Sequence, residues 1–194
     1  MTLRIIGGEL KGRKLVTVPG MQTRPTADRV RESIFNILRD RVRDALVLDL
    51  FAGTGAMGIE ALSRGAESVL FADNDKTALT ALEKNIKVCS LESRAKIIKW
   101  NILKNLNIIS SFPQAFNLVF IDPPYNKNAI QPTLSNLDKS QCIENGACVA
   151  IEHSPQEPIS EKDQRFKISD QRRYGKTLVS FLIYMLRIYG LIAI

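Results

Sequence analysis

The sequence predicts an α/β fold: a seven-stranded, mostly parallel sheet with one antiparallel strand, preceded by a small N-terminal β-hairpin and helix. From residue 45 onward, short apolar runs alternate with amphipathic segments of helical period, which is typical of successive βα units. Right-handed crossovers between such units require a parallel sheet with helices on both faces. The last two apolar runs flank a short turn at Gly175, so we expect them to form a hairpin that supplies the antiparallel strand.

The N-terminal extension combines a predicted hairpin with a predicted helix. Residues 1–20 hold short β-like pieces separated by glycines. Thr26 can cap a helix over 27–41, since its hydroxyl can accept a free backbone N–H of the first turn. The apolar residues at helical spacing define the expected inner face, which comprises Val30, Ile34, Ile37 and Leu38. Arg29 and Arg31 are expected to lie off that face.

The remaining elements alternate along the chain. Strands are predicted at 45–50, 68–72, 95–100, 116–121, 147–151, 165–174 and 178–186. Helices are predicted at 56–64, 76–91 and 129–138. We expect Gly65 to end the first of these helices and Asp75 to be the N-cap of the second.

Positive charge is concentrated near the N-terminus. The chain of 194 residues has a net charge of +7, and residues 1–44 hold ten Lys or Arg against five Asp or Glu. Such a segment is typical of phosphate contact, although a merely solvated basic face would have the same composition. We therefore divide the chain into an RNA-docking extension, 1–44, and a catalytic domain, 45–194. The candidate RNA-binding residues are Arg4, Lys11, Arg13, Arg24, Arg29 and Arg31.

Cysteine usage and hydropathy indicate the compartment. The three cysteines lack the spacing of a metal-ligand pair, which suits reduced, buried thiols in the cytoplasm. The first residues do not resemble a secretory signal. The apolar run 178–194 is interrupted by Arg187 and Gly190, and it is shorter than the about 20 residues that a membrane span needs. We expect a cytoplasmic monomer that uses neither a metal nor a membrane.

A glycine-rich turn follows the first predicted strand. Residues 49–55 read DLFAGTG, and with Gly58 they match the spacing of a dinucleotide-binding turn, which alone is a weak signal and also fits a simple strand–helix turn. Gly53 and Gly55 would permit a tight turn and let a cofactor approach the backbone closely. Asp49 precedes the glycines and favours a cationic ligand group over a pyrophosphate.

Polar side chains end the next two predicted strands. Asp73 comes 18 residues after Gly55, close to the offset of about 20 residues at which an acid binds ribose hydroxyls. Asn101 ends the third strand and can hydrogen-bond an adenine edge. The candidate cofactor-binding residues are Thr26, Asp49, Phe51, Gly53, Gly55, Asp73, Asn74 and Asn101.

The loop after the fourth predicted strand reads Asp122-Pro123-Pro124-Tyr125. The Asp122 carboxylate and the Pro123 carbonyl can each accept one N–H of a planar amino group, while the two prolines stiffen the loop. Tyr125 offers a flat face for stacking a ring. These four residues are the candidate catalytic residues. With the glycine-rich turn, they indicate methyl transfer from a sulfonium cofactor to an exocyclic nitrogen of a base.

Several segments together resemble the bacterial small-subunit rRNA guanine-N2 methyltransferase family. Residues 24–32 (RPTADRVRE), 48–55 (LDLFAGTG) and 122–125 (DPPY) carry the resemblance. Further similarity extends over 4–8 (RIIGG), 12–15 (GRKL) and 174–177 (YGKT). The resemblance implies a Rossmann-like class I fold dependent on S-adenosylmethionine. It also implies methylation of guanine 966 of 16S rRNA, in an assembled or nearly assembled small subunit.

Other functions are compatible with parts of this pattern. An adenine-N6 methyltransferase acting on DNA or RNA would share the Asp-Pro-Pro-Tyr loop, although the chain lacks a long insertion for DNA recognition. A nucleotide-dependent oxidoreductase would leave that loop unexplained, and a non-catalytic RNA-binding module would not need every cofactor position. His153, the single histidine, is expected at the surface or capping a loop rather than in catalysis.

Overall fold

The structure, a computed structural model, describes residues 3–18, 25–160 and 165–186. Its helices are α1 (Pro25–Ile37), α2 (Arg39–Val42), α3 (Ala56–Ser63), α4 (Lys76–Cys89) and α5 (Ile130–Ser140), with a 3₁₀ helix at Asn107–Ser111. Its strands are β1 (Leu46–Leu50), β2 (Ser68–Asp73), β3 (Ala95–Lys99), β4 (Phe116–Ile121), β5 (Ile143–His153), β6 (Phe166–Tyr174) and β7 (Thr177–Tyr184). Arg24 and the apolar tail beyond residue 186 lie outside the described residues.

The strands form one sheet in the order β3-β2-β1-β4-β5-β7-β6. β1 pairs in parallel with both β2 and β4, so the strand order reverses at β1. Within the described sheet, β7 alone runs antiparallel, between β5 and β6. The predicted fold class is therefore confirmed. Ligands of such sheets bind beyond the carboxyl ends of the strands where the order reverses, which here means beyond β1 and β4.

The central strands are buried on both faces, as parallel strands covered by helices require. On β1, Val47 packs into one hydrophobic cluster and Leu48 into the other, and Phe120 and Val119 divide in the same way on β4. These four side chains are at most 2% exposed. Full burial stabilises by about 1.5–3 kcal/mol for a side chain of this size. The packing of the central strands thus fixes the positions at which the loops after β1 and β4 begin.

The N-terminal hairpin is anchored to the sheet domain through α3. Glu60 is completely buried, and its two carboxylate oxygens accept the backbone N–H groups of Ile6 and Gly7, each at 2.7 Å. Leu3 and Ile5 belong to the same hydrophobic cluster as the central strands. The extension and the sheet domain therefore share one hydrophobic core across residue 44. The division of the chain into an RNA-docking part and a catalytic part stays a prediction.

Helix α1 differs from the prediction at both ends. It begins at Pro25, which suits a first helical position because proline lacks an N–H, so Thr26 lies inside the first turn and is not its cap. The helix ends at Ile37, whose side chain is 39% exposed and not part of the inner face. Phe35 takes that place, with its ring centroid 5.6 Å from that of Phe120.

Two further differences concern β5. The strand begins at Ile143 rather than at residue 147 and continues to His153. A register shift against β4 lets the longer strand stay paired. His153 is 1% exposed, so the expected surface position is wrong. Its Nδ1 faces the carbonyls of Ser154 and Glu157 at 3.1 and 3.0 Å, and its Nε2 lies 2.8 Å from the Ser180 hydroxyl. A ring with Nδ1 protonated satisfies all three contacts and secures the loop after β5.

Candidate active site

A cavity of about 670 Å³ lies at the carboxyl edge of the sheet, beyond β1, β2 and β4. Its walls bring together most of the predicted site residues, although they are far apart in the chain. The predicted residues in its lining are Asp49, Phe51, Gly53, Asp73, Asn74, Asn101, Asp122, Pro123, Pro124 and Tyr125. Of the remaining two, Gly55 is not part of the lining and the side chain of Thr26 lies outside what the structure describes.

Asp73 connects the turns after β1 and β2. One carboxylate oxygen accepts the N–H of Gly53 at 2.8 Å, and the other accepts the N–H of Asp75 at 2.9 Å. A carboxylate has about four lone-pair sites, so two remain for hydroxyl donors in the cavity. Asp75 in turn accepts the N–H of Ala78 at 2.8 Å, which confirms it as the N-cap of α4.

Gly55 is required by the packing of the turn against α4. It has φ +79°, and a Cβ there would lie 2.2 Å from the Leu82 side chain. Gly58 is similar, since a Cβ there would lie 2.3 Å from the Phe71 ring. The two glycines let α3 and α4 lie close to the turn and the sheet. Gly53, with φ +55°, lines the cavity, whereas Gly55 is not part of the lining, and the approach of a cofactor to the Gly55 backbone stays a prediction.

Asp49 lies at the cavity floor and is 3% exposed. Its carboxylate accepts the N–H of Gly58 at 2.9 Å. Burial raises the pKa of Asp49 to about 8, the charge of Asp73 adds to this, and the Gly58 hydrogen bond opposes it. Because a bound cation would favour the ionised form, this carboxyl is suited to a positively charged ligand.

The Asp-Pro-Pro-Tyr loop continues β4 into the cavity. The Tyr125 hydroxyl donates to Glu152 Oε1 at 2.7 Å and lies 3.3 Å from the Thr177 hydroxyl. These contacts hold the ring at the cavity rim, where it is partly exposed. Desolvation, followed by the charge of Glu152, raises the pKa of Tyr125, so the phenol stays protonated.

Two neighbouring carboxyl groups give this side of the cavity its electrostatic character. Asp122 lines the cavity and is exposed there, and the surrounding protein atoms displace part of its hydration. The resulting desolvation raises the pKa of Asp122, with added repulsion from Glu152 and Asp49. Desolvation also raises the pKa of Glu152. A site of this kind attracts cations and N–H donors.

Glu152 and Thr177 were not predicted as site residues. Glu152 lies in β5, which pairs with β4, and Thr177 begins β7, which pairs with β5 on the side away from β4. The strand order alone could have identified Glu152, because β5 ends beside β4. Nothing in the local sequence around either residue indicates the contact with Tyr125.

The candidate RNA-binding residues fall into two groups. Arg4, Lys11 and Arg29 line a surface cavity of about 430 Å³ between the hairpin and α1. Arg13 is also exposed, and its guanidinium donates to the Val88 carbonyl at 2.6 Å. Each can therefore present positive charge at the surface, as the prediction requires.

Arg31 is the exception, because it is 5% exposed. Its guanidinium donates to the Arg4 carbonyl at 2.6 Å and to Asp28 at 3.2 Å, and it lies 3.7 Å from the buried Glu60 carboxylate. Burial lowers the pKa of Arg31. The prediction that Arg31 lies off the inner face is wrong. It supports the joint between hairpin, α1 and α3, and its buried charge is not available to a phosphate.

Neither a metal cluster nor a membrane helix is found in the described parts of the chain. Over residues 3–18, 25–160 and 165–186, no three His, Cys, Asp or Glu side chains converge as metal ligands. In the same ranges, no helix has the length and apolar character of a membrane span. Cys89, Cys142 and Cys148 are buried free thiols, as predicted.

The reversal of strand order at β1, with a cavity over that strand, defines a Rossmann-like α/β fold, and the solved structures it resembles at 28–29% identity are named as a methyltransferase and a methylase. A solved structure from Escherichia coli, yhhF, which is provisionally named a methyltransferase, superposes with a TM-score of 0.83. It is 29% identical in sequence, and the match covers 95% of this chain and 99% of that one.

Comparison of sequences gives the family. The model of the family described as "Conserved hypothetical protein 95" matches residues 3–183, and the chain belongs to this family. "Ribosomal RNA small subunit methyltransferase D" of Haemophilus influenzae is 37% identical, covering 81% of each chain. The protein of the same name from Escherichia coli K12 is 33% identical, covering 89% of this chain and 87% of its own length. These matches confirm the family resemblance indicated by the motifs.

Proposed function

We propose that this chain transfers a methyl group from S-adenosylmethionine to the exocyclic N2 of a guanine in 16S rRNA. The observation that carries the proposal is one shared cavity. The Asp-Pro-Pro-Tyr loop, suited to an exocyclic amine, lines the same space as Asp73 and Asn101, which are suited to a nucleoside. The names of the relatives from Haemophilus influenzae and Escherichia coli support the RNA of the small ribosomal subunit as substrate.

The cavity residues fit the parts of the proposed cofactor. Asp73 retains acceptor capacity for ribose hydroxyls, as its two backbone contacts leave lone pairs free. Asn101 Oδ1 accepts the Leu103 N–H at 3.1 Å, which leaves the amide NH₂ to donate to an adenine nitrogen. Asp49 and Asp122 supply negative charge for the cation. Bound S-adenosylmethionine supplies an electrophilic methyl group on a positively charged sulfur.

The loop after β4 would prepare the attacking nitrogen. A guanine N2 lone pair is delocalised into the ring, which makes it a poor nucleophile. The Asp122 carboxylate and the Pro123 carbonyl would accept its two N–H groups and favour a more tetrahedral amine. Asp122 would accept the proton that the nitrogen releases once it has taken the methyl group, and the cofactor would leave as a neutral thioether. Most of the rate gain comes from positioning and fixed polar groups in a water-poor site.

The target base must leave its stack or be unstacked already before it can enter the cavity. Tyr125 lies at the rim, where its ring can stack on the base. The exposed Arg4, Lys11 and Arg29 would hold the RNA backbone nearby through phosphate contacts. By the family resemblance we assign the target as guanine 966 in an assembled or nearly assembled small subunit, modified by a cytoplasmic monomer.

A methyl-transfer assay tests this function. Labelled S-adenosylmethionine is offered with undermethylated 30S particles, naked 16S rRNA or duplex DNA, and the nucleosides of the product are analysed. We expect N2-methylguanosine in the 30S particles. N6-methyladenosine in place of N2-methylguanosine would refute the base assignment and establish the adenine-N6 alternative, which the Asp-Pro-Pro-Tyr loop shares.

A further inference from the structure

Glu152 lies beside the proposed reacting group. β4 and β5 are parallel, and their register pairs Ile121 with Ile151. The next residues along the two strands are Asp122 and Glu152, so their backbones are neighbours at the carboxyl edge. Both carry carboxyl groups, and Tyr125 connects the loop back to the second of them through its hydroxyl. Asp122 and Tyr125 line the cavity, and Glu152 adjoins both of them, through the strand register and through the hydrogen bond.

The two oxygens of Glu152 differ in their surroundings. Oε1 accepts the Tyr125 hydroxyl at 2.7 Å. In the part of the chain that the structure describes, Oε2 has no hydrogen-bond partner, and it is not among the fully buried unpaired atoms. Glu152 is half-buried, so this second oxygen has access to solvent and to a ligand. A carboxylate held through one oxygen presents the other with a restricted direction.

Guanine and adenine differ at the positions that such a pair would meet. Guanine carries N1–H directly beside its N2 amino group, so it presents adjacent donors. Adenine carries an unprotonated N1, an acceptor, beside its N6 amino group. Two adjacent carboxylates can accept both donors of the guanine edge. They would repel the adenine edge, because a carboxylate facing the unprotonated N1 leaves two buried acceptors unpaired.

We propose that Glu152 is the residue that selects guanine, accepting N1–H through Oε2 while Asp122 accepts an N–H of the N2 amino group. This deepens the proposed function and rests on it. Holding N1–H and N2–H together also fixes the plane of the base against the Tyr125 ring, so selection and orientation come from the same contact.

The charges around the pair are consistent with this role. Desolvation, followed by repulsion from the neighbouring Glu152, disfavours ionised Asp122 and raises its pKa. Asp49 adds to the repulsion on Asp122, whereas the hydrogen bond from Tyr125 favours the ionised form of Glu152. Two N–H donors from one base would neutralise part of this repulsion.

The test removes N1–H from the base and the charge from Glu152 separately. 2-Aminopurine keeps the exocyclic 2-amino group but has an acceptor at N1, whereas 6-thioguanine keeps N1–H and changes only the atom at position 6. Each is placed by ligation at the methylated position of 16S rRNA, which is then assembled into 30S particles. Single-turnover methyl transfer is measured for the wild-type protein, Glu152→Gln and Tyr125→Phe.

Wild-type protein should prefer guanine to 2-aminopurine by about 10- to 100-fold, the effect of one hydrogen bond to a charged group. It should treat 6-thioguanine like guanine. Glu152→Gln keeps an acceptor for the Tyr125 hydroxyl but offers an amide that can donate to an unprotonated N1, so the preference should fall to within about threefold. Tyr125→Phe removes the hydroxyl that restricts Glu152 but leaves the Glu152 carboxylate in place, so the preference should fall only in part. Calorimetry with S-adenosylmethionine checks that each variant is folded.

The possible failures are distinct. If wild-type protein methylates guanine and 2-aminopurine equally, or if Glu152→Gln retains the full preference, Glu152 does not select the base while N2 methylation stands. If the wild-type product is N6-methyladenosine, both proposals are overturned. If Tyr125→Phe loses the preference as fully as Glu152→Gln, Glu152 acts by holding Tyr125 and the assigned contact to N1–H is wrong.

Discussion

Asp73 accepts the backbone N–H of Gly53 at 2.8 Å, joining the turn after β1 to the end of β2 across the floor of the cavity. The same carboxylate would bind ribose hydroxyls, so one residue shapes the site and takes part in binding.

Asp73→Ala should weaken S-adenosylmethionine binding by about 1–3 kcal/mol, because it removes acceptors for the ribose and leaves the Gly53 N–H unpaired. Titration calorimetry measures the affinity. Asp75→Ala is the control, since it removes the α4 cap and should lower the free energy of unfolding by about 1 kcal/mol with a smaller effect on affinity. Unchanged affinity in Asp73→Ala would exclude this carboxylate from the binding site.

Asp122→Ala should reduce turnover by roughly 10²–10³-fold, as expected for the loss of one preorganised polar contact to the reacting group. Asp122→Asn keeps one acceptor oxygen, so its turnover should fall less than that of Asp122→Ala. Single-turnover rates on 30S particles measure both. Should Asp122→Ala retain wild-type turnover, the loop would not hold the amine as proposed.

Tyr125→Phe should be mild because the stacking face remains, whereas Tyr125→Ala should lose about 1–3 kcal/mol of base binding. Binding of S-adenosylmethionine should largely survive both changes. The apparent affinity for 30S particles and the calorimetric affinity for the cofactor separate the two effects. If both variants lost the same affinity for 30S particles, Tyr125 would act through its hydroxyl group and not through stacking of its ring.

Arg29 and Arg31 should behave oppositely although they are two residues apart. Arg29→Ala should flatten the log–log salt dependence of RNA binding by about one, because it removes one phosphate contact. Arg31→Ala should instead leave the buried Glu60 short of a cation and lower the free energy of unfolding by about 3–5 kcal/mol. Filter binding over a salt series and urea unfolding provide the two measurements. A changed salt slope without lost stability in Arg31→Ala would contradict its buried role.

Glu60→Ala should detach the hairpin from α3, as two backbone N–H groups and two arginines lose their common acceptor. We expect a loss of about 3–5 kcal/mol in urea unfolding. Glu9→Ala is the matched control on the same hairpin. Its exposed ion pair with Arg94, at 3.0 Å, should contribute less than about 1 kcal/mol. Similar losses in the two variants would show that the buried carboxylate does not anchor the hairpin.

Stability should depend on pH through Asp49. The pKa of this carboxyl is raised from 3.8 to about 8 in the folded chain, so the folded state binds more protons than the unfolded state between these values. Its contribution is therefore complete below about pH 4 and is lost as the pH rises through 8, at a limiting slope of about 1.4 kcal/mol per pH unit. Asp49→Asn has no such proton, so the difference in unfolding free energy between wild type and variant should change over this range. A constant difference from pH 4 to 8 would contradict the raised pKa.

Local pattern was sufficient for most of the fold. Apolar runs and helical spacing identified the seven strands, and βα alternation required their parallel arrangement with one hairpin at the end. The sequence also predicted those site residues that lie together in one short segment with a recognisable chemical pattern. Asp122 to Tyr125, the turn around Gly53, and Asp73 all line the cavity, because the carboxyl ends of parallel strands meet at one edge.

Tertiary structure decided what depends on neighbours distant in the chain. Spacing suggested a solvent-facing Arg31, but the hairpin and Glu60 bury it, and Phe35 rather than Ile37 faces the core. His153 is buried by contacts with the loop after β5 and with Ser180 of β7. Glu152 enters the site because β5 pairs with β4 and because Tyr125 turns back toward it. A sequence pattern reports which side chains share one element, whereas burial, charge pairing and pKa depend on which elements lie against each other in the folded chain.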